Sequence, residues 1–367
     1  MIDAREDLTS QARLKIAFML PGRGNSGGVR VMSTIAAGLL DRGHAVRILY
    51  QRPSLANWCR LLRSKVLGAQ DWLSQFPGEI ARFGDIRECR FQEDEIIVGV
   101  GMAMSYELRL LGPLHNVKIQ YLHGATPWAP DLMRMALSLP LPKIVVASYL
   151  KDLVAAQGAG QVLAVVHNDV NPSEYFSSVP ESERDGVGTI YSSHPAKDPG
   201  TVLSVIRKLR SIRPHVPLRI FGGARRPSQI GSSWYWRYPS VEQAREIYSR
   251  SLVWVLASRS EGFPAPVLEA MACGCAVVAT DCGGTRDLIS EGENGFLAPV
   301  GDLDAIVRRV QLLLDDEILR AKIQRNADAT VGQFTWQRCI ESLEAALMRV
   351  TQRGSPRRGE SSVAVSG

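Results

Sequence analysis

Short apolar runs alternate with segments of helical periodicity along almost the whole of this 367-residue chain. Apolar runs of about four to eight residues, bounded by polar or glycine-rich stretches, are typical of buried strands. Strands that alternate regularly with helices fold into parallel sheets that the helices cover. The pattern therefore predicts an α/β architecture built on parallel sheets.

The predicted strands fall into two groups. The first comprises 15–20, 46–50, 95–100, 118–122, 143–147 and 162–166, and the second comprises 188–191, 218–221, 252–256 and 276–279, with 295–297 as a short edge candidate. Two groups of strands imply two sheets. A chain of this length can bury a separate core in each of two domains.

The polar stretch 177–186, SSVPESERDG, lies between the two groups and has the composition of a linker. We predict one domain at 13–180, a second at 187–333 and a C-terminal helix at 334–350. The two ends, 1–12 and 351–367, are polar and charged, so they are predicted to be disordered. Ligands of open parallel sheets bind beyond the carboxyl ends of the strands, so we expect a ligand in the groove between the sheets.

Charge and composition bear on location more than on activity. The formal net charge is +6, which suits an anionic substrate and an anionic membrane surface equally. No apolar run reaches the roughly 18 residues of a membrane span, and the first dozen residues are too polar for a secretory signal. The six cysteines are scattered, which favours buried free thiols. We therefore expect a cytoplasmic protein and predict no nucleic-acid partner.

A glycine-rich loop follows the first predicted strand and matches the dinucleotide fingerprint G-x-G-x-x-G. That fingerprint also needs an acidic residue at the end of the second strand, where this chain has Gln51 and Arg52. An NAD(P)-dependent oxidoreductase is therefore weakened as an interpretation but stays open. The other functional interpretation is that the amides of Gly27 and Gly28, at a helix N-terminus, bind a diphosphate. A third interpretation is that the loop is a tight strand-to-helix turn that binds no ligand.

Two glutamates, Glu261 and Glu269, stand eight positions apart in the segment SEGFPAPVLEAMACGC. The first is predicted in a strand-to-helix loop and the second inside a helix that begins near Pro266. Ionised carboxylates accept hydrogen bonds from neighbouring hydroxyl groups, so the pair can bind two parts of one extended ligand. The free amides and the dipole of the helix N-terminus favour phosphate groups beside them.

This segment resembles the E-x7-E motif of retaining family 4 glycosyltransferases, which have the GT-B fold of two Rossmann-like domains facing across a cleft. The resemblance covers nearly the whole chain. The matching motifs are Gly27-Gly28, 42–46, His123-Gly124, 168–176, Lys197, 221–223, 258–280, 283–287, 294–296 and 334–336. It implies that the N-terminal domain is on the acceptor side, that the C-terminal domain binds a nucleotide-sugar, and that the last helix packs back toward the N-terminal domain.

The resemblance also implies roles for individual residues. Glu269 would bind the nucleotide ribose, Glu261 would contact hydroxyls of the donor sugar, and Lys197 would neutralise the diphosphate. His123 would lie at the donor sugar or near the reacting centre, although a satisfied histidine at a strand end is the alternative. The donor-binding residues would be Gly27, Gly28, Gly262, Phe263, Val267 and Glu269.

The sequence departs from this family at the phosphate-binding site. The family has an arginine five positions before the lysine, whereas this chain has Ser192 there. We expect Arg225 or Arg226 to supply the missing charge. Pro264 also lacks an amide that a glycine would offer to the sugar.

The predicted function is a retaining transfer of a hexose-type sugar from a nucleotide-diphosphate donor to a carbohydrate, lipid-linked or small-molecule hydroxyl. The nucleotide-sugar is a co-substrate, so no cofactor is predicted, and no metal site is predicted because no Asp-x-Asp pair stands at a strand end. A nucleotide-sugar epimerase and a non-catalytic sugar-binding protein remain as alternatives beside the oxidoreductase.

The stretch 55–72 bears on the acceptor, because it combines Trp58 and Trp72 with Arg60, Arg63 and Lys65. One interpretation is a basic amphipathic helix that rests on the inner membrane face and receives a lipid-linked sugar. The other is an ordinary helix that covers the first sheet. The sequence leaves both open, so a peripheral membrane location stays a possibility.

Overall fold

A computed structural model of the chain describes residues 13–24, 26–112, 116–157, 159–231 and 234–354. Side chains are described at all of these positions except Arg60 and 352–354. The predicted disordered ends, 1–12 and most of 351–367, lie outside the described residues.

The N-terminal domain is built on a parallel sheet of seven strands, and all six predicted strands are present. The strands are β1 (Lys15–Leu20), β2 (Ala45–Gln51), β3 (Glu79–Phe83), β4 (Glu95–Val100), β5 (Lys118–Leu122), β6 (Lys143–Val145) and β7 (Val162–Val165), in the order β3-β2-β1-β4-β5-β6-β7. The unpredicted strand β3 has the sequence EIARF and lies at the edge. An edge strand pairs with a neighbour on one side only, so it is less completely buried than a central strand. It therefore need not be a continuous apolar run.

The C-terminal domain has a second parallel sheet of six strands. These are β8 (Val187–Ile190), β9 (Leu218–Gly222), β10 (Tyr235–Arg237), β11 (Val253–Leu256), β12 (Ala276–Thr280) and β13 (Phe296–Ala298), in the order β10-β9-β8-β11-β12-β13. The edge position of β13 was predicted. The opposite edge, β10, was not, since its three residues YWR are too few to form a recognisable pattern. The α/β fold with two Rossmann-like sheets is thus confirmed.

Helices connect the strands and cover the sheets. The N-terminal domain has α1 (Gly27–Asp41), α2 (Leu55–Val66), α3 (Gly101–Glu107), α4 (Pro130–Leu137) and α5 (Ser148–Gln157). The C-terminal domain has α6 (Pro199–Ile212), α7 (Val241–Arg250), α8 (Ala265–Ala272), α9 (Leu303–Asp315) and α10 (Glu317–Val331), followed by α11 (Trp336–Gly354). Among the described residues, no helix is both long enough and apolar enough to cross a membrane.

Helix α11 returns to the N-terminal domain and packs against α1. A Cβ on Gly38 of α1 would lie 2.1 Å from Cδ1 of Ile340, so the glycine permits this close packing. The buried carboxylate of Glu344 accepts hydrogen bonds of 2.6 Å from Arg42 Nη2 and 2.6 Å from His44 Nε2. The helix runs to Gly354, so residues 351–354, which were predicted to belong to a disordered tail, are helical. The sequence offers no proline or glycine before Gly354 to end it.

Glu344 makes the packing of α11 dependent on pH. Burial by itself would raise the pKa of Glu344. The hydrogen bonds from Arg42 and His44 outweigh burial and lower this pKa below its ordinary value of 4.5. A carboxyl whose pKa is lowered by folding stabilises the folded state above its ordinary pKa, and this stabilisation is lost as the pH falls below that value.

We therefore expect Glu344→Gln to lower the free energy of unfolding by about 1.5–3 kcal/mol at neutral pH, the usual contribution of hydrogen bonds to a charged group. The difference from the wild type should shrink when urea denaturation is repeated at a pH below about 4. Glu341→Gln is the matched control, because this half-exposed carboxylate lies 3.8 Å from Arg42. Equal effects of the two substitutions at neutral pH would contradict the prediction.

Helix α2 does not cover the first sheet, so that interpretation of the stretch 55–72 is wrong. Leu55 and Val66 are 80% and 87% exposed, and Trp58 and Leu62 are also exposed. The turn Trp72–Gln75, with Leu73 buried, packs on α1 instead. The apolar positions of α2 are thus left in contact with solvent, and the membrane interpretation stays a prediction.

Candidate active site

A cavity of about 550 Å³ lies between the two sheets, beyond the carboxyl ends of their strands. From the N-terminal domain it is lined by residues that follow β1, β5 and β7. From the C-terminal domain it is lined by residues that follow β8, β9 and β11. This is the position in which parallel sheets bind their ligands.

Gly27 and Gly28 begin α1 and line the cavity. A Cβ on Gly27 would meet no atom within 4 Å, and one on Gly28 would meet only Ser26 Oγ at 4.0 Å. Packing of the protein against itself therefore does not require glycine here. The absence of both side chains leaves the helix N-terminus open to a ligand in the cavity.

Lys197 and Glu261 form an ion pair at the C-terminal side of the cavity. The Nζ of Lys197 lies 2.6 Å from Oε1 of Glu261, and Ser258 Oγ donates to the same oxygen at 2.6 Å. Among the described residues, no side chain donates a hydrogen bond to Oε2 of Glu261. The carboxylate is therefore positioned by two protein groups and keeps one oxygen for a ligand.

The backbone next to Lys197 is fixed by Asp198, which has a left-handed φ of 41°. Its buried carboxylate accepts a hydrogen bond of 3.2 Å from Thr201 N, as the N-cap of α6, and forms an ion pair with Arg259, whose Nε lies 2.8 Å from Oδ2. Asp is one of the few residues other than glycine that adopt this conformation at small cost. The cap and the ion pair hold the turn that directs Lys197 into the cavity.

Glu269 lies inside α8, as predicted, and both of its oxygens are hydrogen-bonded. Tyr248 donates to Oε2 at 2.9 Å, and Arg30 of the N-terminal domain donates to Oε1 at 3.3 Å. Burial raises the pKa of Glu269, and the charge of Arg30 opposes this shift. The Arg30–Glu269 pair links the two domains across the cavity.

Arg30 is a functional candidate that the sequence interpretation missed. Its guanidinium also contacts Glu174, lies 3.2 Å from Tyr175 Oη, and sits 4.8 Å above the ring of Trp72. Its only sequence signal was its place in the first turn of α1, two residues after Gly28.

The expected replacement for the missing arginine is not found where it was predicted. Neither Arg225 nor Arg226 lines the cavity, and Arg226 instead donates to the carbonyl of Ile230 at 2.7 Å. Ser192 also lies outside the lining. In the described part of the chain, the cations that line the cavity are Arg30 and Lys197.

Two buried polar atoms in the cavity lining have no hydrogen-bond partner among the described residues: Nε2 of His123 and Oδ1 of Asn168. Burial lowers the pKa of His123 to about 4, so the imidazole is neutral at pH 7. Buried polar groups without partners are costly, and a ligand with hydroxyl groups could satisfy both. The sequence also allowed a histidine at a strand end with all of its hydrogen bonds made within the protein. The structure differs from this, because Nε2 of His123 has no partner among the described residues.

The backbones of the two domains lie against each other at Gly262. A Cβ there would lie 1.9 Å from the carbonyl oxygen of His123. A Cβ on Gly284 would in turn lie 1.8 Å from the carbonyl oxygen of Gly262. Glycine at these positions is therefore needed for the closed arrangement of the cavity walls.

The two remaining predicted donor-binding residues differ in position. Phe263 lines the cavity, and its ring also packs 5.0 Å from His167 and 5.4 Å from Phe334. Val267 is fully buried and does not line the cavity, so its side chain is not placed to contact a ligand there, and its donor-binding role stays a prediction. Its place on α8 directs it into the core, on a different side of the helix from Glu269.

The outer end of the cavity is formed by residues around β9 and β10. Gly222 and Gly223 line it together with Tyr238, which has a positive φ of 52°, and Ser240, which caps α7. Gly222-Gly223 was visible in the sequence. Tyr238 was not, because it follows the unpredicted strand β10.

Within the described residues, no three His, Cys, Asp or Glu side chains cluster as a set of metal ligands. Cys273 and Cys275 are buried free thiols, as are Cys282 and Cys339, whereas Cys59 is exposed. The prediction of buried thiols thus fails at Cys59, which lies on the exposed helix α2.

Residues 187–330 match the family described as glycosyl transferases group 1. A segment of 89 residues is 40% identical to N,N'-diacetylbacillosaminyl-diphospho-undecaprenol alpha-1,3-N-acetylgalactosaminyltransferase of Campylobacter jejuni and covers 24% of each chain. A segment of 104 residues is 32% identical to N-acetyl-alpha-D-glucosaminyl L-malate synthase of Bacillus anthracis and covers 28% of this chain and 27% of that one. The alignments thus span about a quarter of the length of these relatives.

Solved structures resemble the chain over almost its full length. HepE of Anabaena in complex with UDP has a TM-score of 0.71 at 17% identity, covering 92% of this chain and 100% of that one. Sucrose-phosphate synthase of Thermosynechococcus elongatus has a TM-score of 0.69 at 14% identity, covering 93% and 100%. At these identities the likeness shows the fold. Residues 187–330 thus match the glycosyl transferases group 1 family, within a chain that has the two-domain GT-B fold.

Proposed function

We propose that this protein is a retaining glycosyltransferase that moves a hexose-type sugar from a nucleotide-diphosphate donor to a hydroxyl of a carbohydrate, lipid-linked or small-molecule acceptor. The observation that carries the proposal is that Lys197, Glu261 and Glu269 line one cavity opposite the open helix N-terminus at Gly27 and Gly28. The family of residues 187–330 supports it, and both relatives named above carry the names of enzymes that act on sugar compounds.

The nucleotide would lie along the C-terminal wall of the cavity. Tyr238 and the backbone of Gly222 and Gly223 offer a flat surface for the base, and Glu269 offers a carboxylate to the ribose hydroxyls. The solved structure of HepE contains UDP, which makes UDP-sugars the first donors to test.

The donor sugar would lie between the two domains. Oε2 of Glu261 can accept a hydrogen bond from a sugar hydroxyl, while Lys197 and Ser258 hold the other oxygen. His123 Nε2 and Asn168 Oδ1 offer further hydrogen-bonding positions at the N-terminal side. Side chains from both domains would thus surround the anomeric bond of the donor, which is the bond that breaks.

Cleavage of the anomeric bond leaves negative charge on the nucleoside diphosphate, so catalysis requires positive groups that are already in place. Lys197, the N-termini of α1 and α8, and Arg30 provide this stabilisation in the proposed arrangement. We infer that protein cations take the place of a divalent metal, so transfer should continue in EDTA. Retention, by attack of the acceptor from the leaving-group side, rests on the resemblance to family 4 enzymes.

The proposal is tested by screening nucleotide-sugars for protection against thermal unfolding, because a ligand that binds only the folded state raises its Tm. At a concentration of 100 times its Kd, a donor should stabilise the protein by about 2.7 kcal/mol. Protection by NAD(P) and by no nucleotide-sugar would favour the oxidoreductase alternative. Product analysis with and without acceptor separates transfer from epimerisation, and the anomeric configuration of the product tests retention.

Arg30 supplies a further prediction about the donor. In the structure Arg30 donates to one oxygen of Glu269, so a ribose hydroxyl would either share this carboxylate with Arg30 or displace it. The guanidinium belongs to the same helical turn as the amides proposed to bind the phosphates. We expect Arg30→Gln to weaken binding of the nucleoside diphosphate about ten-fold, as measured by calorimetry. Arg308→Gln, at an exposed position of α9, is the control. Unchanged affinity in Arg30→Gln would remove Arg30 from the phosphate site.

A further inference from the structure

A second cavity, of about 300 Å³, lies entirely within the N-terminal domain. It is bounded by α2, by the loop after β1 and by the edge strand β3. Ala69 and Gln70 line both this cavity and the larger one between the domains, so the two adjoin at the loop after α2. A ligand here would reach toward the donor without occupying its site.

The charges of the second cavity favour an anion. Its lining contains the cations Arg23, Lys65 and Arg82 and the single carboxylate Asp71. Arg23 and Asp71 neutralise each other through hydrogen bonds of 3.1 Å from Nε to both carboxylate oxygens. Among the described residues, the side chains of Lys65 and Arg82 have no ion-pair or hydrogen-bond partner. Two positive charges are therefore available to a ligand.

The remaining walls favour a sugar ring beside the anion. Tyr50 and the half-exposed Trp58 line the cavity. Aromatic faces pack well against the apolar side of a ring, and the polar edge of that ring can still contact charged groups. Trp58, Leu61 and Lys65 recur at helical spacing along α2, so one side of this otherwise exposed helix forms the cavity wall.

We propose that this second cavity binds the phosphate-bearing end of a glycosyl acceptor. The assignment of the ligand as an acceptor rests on the proposed function, whereas the recognition of a sugar phosphate rests on the cavity itself. The phosphate contacts Lys65 and Arg82, the adjoining sugar packs on Trp58 and Tyr50, and its hydroxyl groups point toward the donor cavity. The proposal gives a role to a helix that stands apart from the sheet and carries Lys65, a cavity cation without a partner among the described residues.

The phosphate can belong to a free sugar phosphate or to a lipid-linked one. Leu55 and Val66, the most exposed apolar residues of α2, lie on the same helix as the cavity wall. They would meet a bilayer if the phosphate were attached to a lipid. The two sources therefore predict different partners for the same cations.

The test measures binding of glucose 1-phosphate by calorimetry in a Lys197→Ala background, which removes the cation of the donor cavity. We expect the further double substitution Lys65→Ala and Arg82→Ala to weaken binding by about ten-fold per cation, because each charge-assisted hydrogen bond contributes on that scale. The matched control is Lys151→Ala with Arg308→Ala, which removes the same charge from two exposed positions. Glucose without phosphate should bind at least ten-fold more weakly to the unsubstituted cavity.

A second arm distinguishes the sources of phosphate by flotation with phosphatidylcholine vesicles that contain or lack phosphatidic acid. Flotation with phosphatidic acid that is lost in the Lys65/Arg82 double variant assigns a lipid-linked phosphate, and binding of glucose 1-phosphate alone assigns a free one. Equal behaviour of the double variant and its control toward both probes would overturn the proposal. If the protein cleaves none of the nucleotide-sugars but phosphate binding still depends on Lys65 and Arg82, the proposed function is wrong. The assignment of this cavity as a phosphate-binding site is then still supported.

Discussion

Lys197→Ala is expected to lower the rate of donor cleavage by about 10²–10³-fold, the loss typical when one preorganised group that stabilises a leaving charge is removed. Lys197 acts twice in the proposed mechanism, since it neutralises the departing diphosphate and holds Oε1 of Glu261 at 2.6 Å. Its side chain is 24% exposed, so the ammonium group is partly shielded from water. Its electrostatic interaction with a phosphate is therefore stronger than it would be in bulk water. The effect should appear mainly in kcat, because the negative charge develops during cleavage.

The measurement is nucleotide release from a donor that protects the wild type against unfolding. Lys151→Ala removes an exposed lysine of α5 and serves as the control for charge. Thermal unfolding of both variants shows whether the loss arises from misfolding. A rate for Lys197→Ala within two-fold of the control would contradict the proposed mechanism.

Gly262→Ala is expected to have the second largest effect, and through geometry instead of charge. The new Cβ would lie 1.9 Å from the carbonyl oxygen of His123, a backbone atom that no side-chain rotation can move. Relief of the collision requires the two domains to separate at the cavity. We expect a loss of stability of about 1–3 kcal/mol, the usual cost of inserting an atom into a packed contact, and at least a 100-fold loss of donor cleavage.

Gly27→Ala is the matched glycine substitution for stability, because its Cβ would meet no protein atom within 4 Å. We expect it to unfold at the temperature of the wild type and to bind the donor more weakly, since the methyl group enters space proposed for the diphosphate. Calorimetry and thermal unfolding of the two variants separate these effects. A Gly262→Ala protein as stable as Gly27→Ala would show that the domains do not meet there in solution.

Much of the fold could be predicted because buried parallel strands are continuous apolar runs. All eleven predicted strands are present in the structure. The two strands that were missed, β3 and β10, lie at sheet edges, where a strand is short or carries charged residues. The sequence left two interpretations of helix α2 open for a related reason, since the apolar positions of a helix do not show which surface they contact.

The sequence by itself determined the α/β architecture, the division into two sheets, and the grouping of Glu261 and Glu269 in one helix and the loop before it, because these depend on local periodicity and short spacing. Only the tertiary structure decided that Arg30, 239 residues before Glu269, is its ion-pair partner. It also decided that Arg225 and Arg226 lie outside the cavity and that Val267 is in the core. Such contacts depend on how two sheets face each other, and no spacing along the chain encodes the distance between side chains on different sheets.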